Sequence, residues 1–207
     1  MKYLISFLFL ALAFTMKSEA KVALPSILGD NMVLQQQAEV KLWGKARPNA
    51  TVTVKTSWNG QTYKSSSDAK GGWSLTVSTP VAGGPYQITF NDGELLTLQN
   101  VLIGEVWFCS GQSNMEMPMG GFDRQPVRGT NDIIAKAKPS TPIRMYTTDS
   151  KDGRWVRQFS KTPQEDCQGE WLENTPVNVS HISAVSYYFA RYIQEVLEVP
   201  VGIVVST

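Results

Sequence analysis

Between residues 38 and 98, apolar side chains recur at every second position in several short runs. A period of two places apolar side chains on one face of a strand and polar ones on the other, which is typical of antiparallel sheet. Turn-forming residues separate the runs, and Asn59-Gly60 is the strongest hairpin signal among them. Short strands at this spacing predict a small β-sandwich. The alternating apolar positions are Val40 and Leu42; Val52, Val54 and Trp58; Trp73, Leu75 and Val77; and Tyr86, Ile88 and Phe90.

The pattern changes after residue 99. An apolar run from Val101 to Phe108 predicts a strand that leads directly into the small, polar residues Ser110 to Ser113. Residues 120–169 are rich in Gly, Pro, Lys and Asp, so we expect mostly surface loop there, with one short strand candidate at residues 143–146.

The last part of the chain predicts a helix followed by a strand. Apolar residues at helical spacing form the stripe of an amphipathic helix, which Ser180 or Ser183 can cap and which Pro200 ends. The continuously apolar run from Val201 to Val205 then predicts a buried parallel strand. Strand, helix and strand in this order are typical of an α/β sheet. The stripe consists of Ile182, Val185, Tyr188, Phe189, Tyr192, Ile193 and Val196.

The first twenty residues have the pattern of a secretory signal peptide. Lys2 precedes an apolar run from residue 4 to 15, and Ser18-Glu19-Ala20 supplies small residues for cleavage after Ala20. The run is shorter than the roughly 20 apolar residues of a membrane helix. We therefore expect a secreted or periplasmic protein with no membrane segment after cleavage, divided into a leader (1–20), a β-sandwich domain (21–100) and an α/β domain (101–207).

Charge and cysteine content exclude several classes of function. The formal net charge is +1, which gives no attraction for nucleic acid or for an anionic membrane. Cys109 and Cys167 either form one disulfide or, as we favour for Cys109, fill apolar space at the end of a strand. Two isolated cysteines and one histidine have no metal-ligand spacing, so we expect neither a metal site nor a cofactor.

The residues after the strand at Val101 to Phe108 are candidates for chemistry. A serine at position 113, where a strand turns into a helix, places its hydroxyl at the carboxyl edge of the sheet, and its own N–H can help bind an oxyanion. Gly111 permits a tight turn, and the amides of Gln112 and Asn114 can orient the turn or the substrate. The alternative is an ordinary loop in which Ser113 only caps a helix.

The longer segment from Gly104 to Pro118, GEVWFCSGQSNMEMP, closely resembles the first block of the sialate O-acetylesterase family, a branch of the SGNH hydrolases. Three further stretches resemble the same family: residues 24–27 with 30–35, residues 83–86, and residues 183–191 followed by 199–202. The resemblance implies a β-sandwich followed by the beginning of a three-layer α/β/α SGNH hydrolase domain, which this chain does not complete.

The resemblance also implies a mechanism. Ser113 is expected to attack an acetyl ester on a sugar or glycan and to form an acetyl-serine that water later cleaves. In this family the oxyanion is held by the N–H of the nucleophile, a glycine after the second strand and an asparagine further on. The activating Asp-x-x-His is expected downstream of Thr207. We therefore expect the 207-residue chain to be truncated before its base and nearly inactive alone.

Other candidates have simpler interpretations. His181, the only histidine, precedes the predicted helix with no aspartate two or three residues ahead, so we expect an exposed residue and not the base. Glu116 and Asp123 are expected to be solvated and not a glycosidase pair.

Three tryptophans support an alternative function. Trp43, Trp58 and Trp73 occupy strand-like positions, where core packing is the favoured interpretation. Stacking on sugar rings is the other, and it would suit a non-catalytic exported carbohydrate-binding protein.

Overall fold

The computed structural model describes residues 21–151, 154–155 and 162–207, so the predicted leader lies outside the described residues. Within them the chain forms a mixed α/β fold with a large sheet. The strands are β1 (Val33–Gln35), β2 (Glu39–Lys45), β3 (Thr51–Thr56), β4 (Thr62–Ser66), β5 (Gly72–Ser78), β6 (Gly83–Asn91), β7 (Leu95–Ser110), β8 (Ile143–Thr147), β9 (Ser150–Lys151), β10 (Arg154–Trp155), β11 (Trp171–Glu173) and β12 (Val201–Ser206). The helices are α1 (Ser113–Glu116), α2 (Thr130–Ala135), α3 (Pro176–His181) and α4 (Ala184–Leu197).

One long strand connects the two parts of the fold. The main sheet has the order β11-β8-β12-β7-β6-β3-β4, with β1 also paired to β7. The first part of β7 pairs antiparallel with β6, and its second part, from Glu105 to Ser110, pairs parallel with β12. The boundary predicted near residue 100 lies inside this strand, where Asn100 adopts a φ of 55°. The same strand that closes the β-rich part therefore leads to the predicted nucleophile.

Alternating residues build the core of the β-rich part. The strands predicted from Val40, Val52, Trp73 and Tyr86 are present as β2, β3, β5 and β6. β2 and β5 pair as a separate two-stranded sheet, and their inward side chains pack with those of β3 and β6. The predicted Asn59-Gly60 hairpin is confirmed, because it connects the antiparallel strands β3 and β4. The fully buried side chains of this core include Leu42, Val52, Val54, Val77, Ile88 and Phe90.

The second part of the sheet is parallel where the sequence predicts it. β12 lies between β7 and β8 and is parallel to both, which confirms the prediction for Val201 to Val205. β8 matches the strand candidate at residues 143–146, while β11 adds an antiparallel edge. The sequence did not predict α2, α3, β1 or β11, whose short segments lack a clear apolar period.

Helix α4 forms as predicted but packs with a different face. Its N-cap is Ser183, one of the two predicted caps, whose hydroxyl accepts a hydrogen bond from the N–H of Ser186. Its buried residues are Ala184, Ser186, Tyr187 and Ala190, whereas most of the predicted apolar stripe is exposed. Two alanines on the buried face let the helix approach the sheet closely. None of the helices that the structure describes is long and apolar enough to cross a membrane.

Candidate active site

Three parallel strands end at one edge of the sheet and define the site. Ser110, the last residue of β7, pairs with Ser206 near the end of β12. On the other side of β12, Thr147 pairs with Val205, and the N–H of Thr148 donates to the carbonyl of Val205 at 2.9 Å. Ligands of α/β proteins bind outside the carboxyl ends of parallel strands. The edge next to Ser110 is therefore the position at which a substrate is expected.

Ser113 lies at this edge, three residues after the end of β7. It is the first residue of α1 and is exposed. The N-cap is Gln112, whose carbonyl accepts hydrogen bonds from the N–H groups of Met115 and Glu116 at 2.8 and 3.1 Å. No side-chain hydrogen bond caps this helix, so the alternative in which Ser113 serves as the helix cap is wrong. The N–H groups at the start of a helix have no acceptor within it, which leaves them available to a developing oxyanion.

The other two predicted site residues are the sequence neighbours of Ser113, and they are exposed as well. Gln112 and Asn114 are exposed, as Ser113 is. Gly111 precedes them where little space exists, since a Cβ there would lie 2.5 Å from Cγ of Met115. The turn thus exposes three polar side chains, and the Met115 side chain packs against its backbone at Gly111.

Hydrogen bonds attach α1 to the beginning of α4. The segment that follows α1 runs alongside the residues between α3 and α4, and Met119 is fully buried there. This pairing positions the turn that carries Ser113, although α4 is distant from that turn in the sequence. The bonds are Ala184 N–H to the Met117 carbonyl (2.8 Å), Met119 N–H to the Ile182 carbonyl (2.9 Å) and Gly120 N–H to the Ser180 carbonyl (2.8 Å).

His181 is exposed, as expected, and is the last residue of α3. Among the described residues, no hydrogen bond joins its imidazole to Ser113. Asp123 is likewise exposed and forms an ion pair of 3.7 Å with its neighbour Arg124. The structure therefore offers no partner for Ser113 in either residue.

The two cysteines are not bonded to each other, so the disulfide alternative is wrong. Cys109 is half-buried at the end of β7 and packs against the core beneath α4. Burial raises the pKa of its thiol, and the nearby Ser186 hydroxyl partly offsets this. A half-buried thiol with a raised pKa carries little thiolate at neutral pH, whereas the Ser113 side chain is exposed at this edge. Within the described ranges, no three His, Cys, Asp or Glu side chains are placed to hold a metal ion.

Sequence comparison relates most of the chain to named enzymes. No family model matches it. It is 28% identical to the sialate O-acetylesterases of Pongo abelii and Homo sapiens over 200 residues, and 26% identical to that of Mus musculus over 197 residues. Each alignment covers 88% of this chain and 35–36% of the relative. The chain thus spans about a third of the length of these curated relatives.

A solved structure shares the fold. The crystal structure of a carbohydrate acetylesterase from Xanthomonas citri superimposes with a TM-score of 0.79 at 32% sequence identity. The match covers 90% of this chain and 40% of that enzyme. The similarity therefore extends over both the β-rich part and the strands that lead to Ser113.

Proposed function

The chain is homologous to the sialate O-acetylesterases, and we propose that it acts as a carbohydrate O-acetylesterase with Ser113 as its nucleophile. The observation that carries this proposal is the position of Ser113. It is the exposed first residue of α1 and follows the end of β7, which is paired with β12. The related enzymes supply the substrate class, an acetyl ester on a sugar. The strand and turn supply a hydroxyl presented at the edge where such a substrate can approach.

The proposed reaction proceeds in two steps. In the first, Oγ of Ser113 attacks the carbonyl carbon of the acetyl group, and its proton passes through a base to the departing sugar oxygen. The C–O bond to the sugar breaks and an acetyl-serine forms. In the second, water attacks the acetyl-serine, releases acetate and restores the hydroxyl. The N–H of Ser113 donates to the carbonyl oxygen while that oxygen carries negative charge in each step.

The polar neighbours have supporting roles in this proposal. The exposed amides of Gln112 and Asn114 orient the sugar or the turn around the reacting serine. Their contribution lies in positioning, because neither amide accepts a proton at neutral pH. Replacing either with alanine is therefore expected to lower the rate less than replacing Ser113.

Acetylation of Ser113 is the direct test. The full chain is incubated with 4-nitrophenyl acetate, with and without imidazole as an external base, and the modified residue is identified by mass spectrometry. We expect the acetyl group on Ser113, and we expect Ser113→Ala to abolish both this modification and Ser113-dependent acetate release. Acetate release above the rate of imidazole alone that persists in Ser113→Ala, or the absence of acetylated Ser113 even with imidazole, would contradict the proposal.

We further propose export, on the basis of the leader pattern at residues 1–20. A mature N-terminus at Lys21, determined by intact-mass measurement after expression of the full chain, is the expected result. A chain that keeps Met1 and stays inside the cell, with no form beginning at Lys21 outside it, would contradict it.

A further inference from the structure

A second concave surface lies in the β-rich part of the molecule. It is a groove of about 760 Å³ along the outer face of β2 and β5, bordered by the end of β4, residues 23–25 and residues 165–166. No residue that lines it belongs to α1 or to the carboxyl ends of β7, β8 and β12. The groove is therefore separate from the candidate active site.

Trp43 forms the apolar surface of this groove. It lies in the middle of β2 and pairs with Ser74 of β5, and it shares the outer face of the strand with Lys41 and Lys45. The adjacent Leu42 points the other way and is fully buried. Trp43 is 38% exposed, so part of its ring faces solvent between two charged side chains. A large aromatic ring on the polar face of a strand contributes little to the core.

Polar groups surround the ring. Asp68 accepts hydrogen bonds at Oδ1 from the N–H groups of Lys70 and Gly72, both at 2.8 Å, and these bonds hold the pKa of its carboxyl below the ordinary value. The Lys45 ammonium lies 3.6 Å from Oε1 of Glu165 across one end of the groove. Ser65 donates its hydroxyl to the carbonyl of Ser74 at 2.8 Å. A hydrogen-bonded carboxylate, a hydrogen-bonded hydroxyl and a solvent-exposed ammonium thus line the groove together with the exposed aromatic ring.

Trp73 lines the same groove from its buried side. It is 4% exposed, and its indole Nε1 is buried with no hydrogen-bond partner among the described residues. Buried donors without an acceptor are uncommon because each costs free energy. Trp73 packs against Phe90 in the core, so this donor lies on the inward side of β5, and the binding surface of the groove consists of Trp43 and its polar neighbours.

We propose that the groove binds a sugar residue of a glycan, with the pyranose ring stacked on Trp43, as a site separate from Ser113. A pyranose has an apolar face of C–H groups and a rim of hydroxyls, which match an exposed indole flanked by acceptors and donors. A wholly apolar ligand would desolvate Asp68 and Lys41 without pairing them. Nucleic acid does not fit, since three carboxylates face two lysines across the groove. The choice of an acetylated glycan as ligand rests on the proposed function.

Such a site would retain the protein on a polymer while Ser113 acts on its acetyl groups. Tethering to one part of a polysaccharide raises the effective concentration of ester groups at the active site. The benefit applies only to polymeric substrate. A small ester such as 4-nitrophenyl acetate gains nothing from the groove.

Binding is tested with the full chain carrying Ser113→Ala, so that no substrate is consumed, on an array of O-acetylated and unmodified glycans. We expect binding to polymeric glycans that weakens at least about tenfold, equivalent to about 1.4 kcal/mol, in Trp43→Ala. Trp43→Phe should retain part of the affinity, because it keeps a stacking ring. Tyr192→Ala is the matched control, since Tyr192 is an aromatic residue of α4 that is 67% exposed and lies outside the groove.

A second variant tests the groove without removing the ring. Ser74 faces Trp43 across the strand pair, so Ser74→Arg fills the groove and should also abolish binding. Equal binding by the parent and by both variants, or binding to no glycan on the array, would overturn the inference. Acetylation of Ser113 by 4-nitrophenyl acetate in the presence of imidazole should be unchanged by Trp43→Ala in a chain that retains Ser113. If the groove does not bind glycan, Ser113 is still acetylated. If Ser113 is not the nucleophile, glycan binding in the groove is unaffected.

Discussion

Gly111 packs against the side chain of Met115, so closely that a Cβ at position 111 would lie 2.5 Å from the Met115 Cγ. Cγ is near the base of the methionine side chain, and it cannot move away without a change of rotamer or backbone. The missing side chain at position 111 therefore determines how tightly the backbone turns between β7 and α1. Because Ser113 is two residues further on, this packing contact positions the proposed nucleophile.

Gly111→Ala is expected to slow acetylation of Ser113 by about tenfold or more, because small displacements of a reacting group cost rate. The free energy of unfolding should fall by about 1 kcal/mol or less, because Gly111 is exposed and a surface position tolerates an added side chain better than a core position. Stopped-flow acetylation by 4-nitrophenyl acetate and urea denaturation measure the two effects.

Met115→Ala supplies the control for that substitution. It removes the atom that the new Cβ would meet, so the double variant should recover part of the acetylation rate lost in Gly111→Ala. Strictly additive losses in rate would show that the two residues do not act through their contact.

The β-rich part was predictable because alternation assigns each residue of a strand to one face. Leu42 and Val77 are fully buried, as their spacing indicates. The same rule placed Trp43 on the polar face with Lys41, so its exposure was readable from the sequence. The preference for core packing of tryptophan was correct for the buried Trp73 and wrong for Trp43.

The packing of α4 was not predictable from its apolar period. Val185 and Tyr192 belong to the apolar stripe and are exposed, whereas Ala184 and Ala190 face the sheet. Periodicity identifies which side of a helix is apolar, but the distance to the neighbouring strands decides which side can pack. Likewise, the position of Ser113 at a strand end followed from local sequence, while its attachment to α4 depends on contacts between segments sixty or more residues apart.

A buried ion pair between β8 and β11 provides a prediction about stability. Arg144 is 4% exposed, and its Nη2 lies 3.1 Å from Oε1 of Glu173. Its Nε and Nη1 are buried without a hydrogen-bond partner among the described residues. Glu173→Ala leaves this guanidinium buried without its counter-charge, and we expect a loss of about 2–3 kcal/mol in the free energy of unfolding.

Arg144→Met is the informative comparison for Glu173→Ala. It removes the charge together with the cost of burying it, so we expect a smaller loss of stability. Glu173→Gln separates charge from hydrogen bonding, because it can still accept from Nδ2 of Asn100, which lies 3.2 Å from Oε1 of Glu173. Urea denaturation of the three variants measures the order of their free energies of unfolding. A larger loss for Arg144→Met than for Glu173→Ala would show that the ion pair stabilises more than its burial costs.

Two buried tyrosines predict a loss of stability at alkaline pH. Burial raises the pKa of Tyr187 above its ordinary value of 10.0, and the charge of Arg191 offsets this in part. Burial also raises the pKa of Tyr146, as does its hydrogen bond with Cys167. The unfolded chain releases both protons above about pH 10, whereas the native state retains them. The contribution of these two tyrosines to the free energy of unfolding is therefore constant below about pH 10 and falls as the pH rises further.

Tyr187→Phe tests the source of that decline. It removes the hydrogen bond from the Tyr187 hydroxyl to Oδ1 of Asn174, 2.7 Å long, so stability near neutral pH should fall by about 1 kcal/mol. The decline above about pH 10 should become shallower, because one titrating group is lost. Denaturation curves across this pH range decide the question, and an unchanged slope would exclude Tyr187 as a contributor.

The single histidine provides the last prediction, which concerns the base. His181 ends α3 and is exposed, although its neighbours Ser180 and Ile182 hydrogen-bond to the segment that follows α1. Proximity of the backbone does not make a base, since the imidazole must reach the serine hydroxyl. We expect His181→Ala to change the rate of Ser113 acetylation by less than about twofold, a margin far below the 10²–10⁴-fold of general base catalysis. The pH profile of acetylation should also keep its shape. A loss of about a hundredfold, restored by imidazole, would instead identify His181 as the group that activates Ser113.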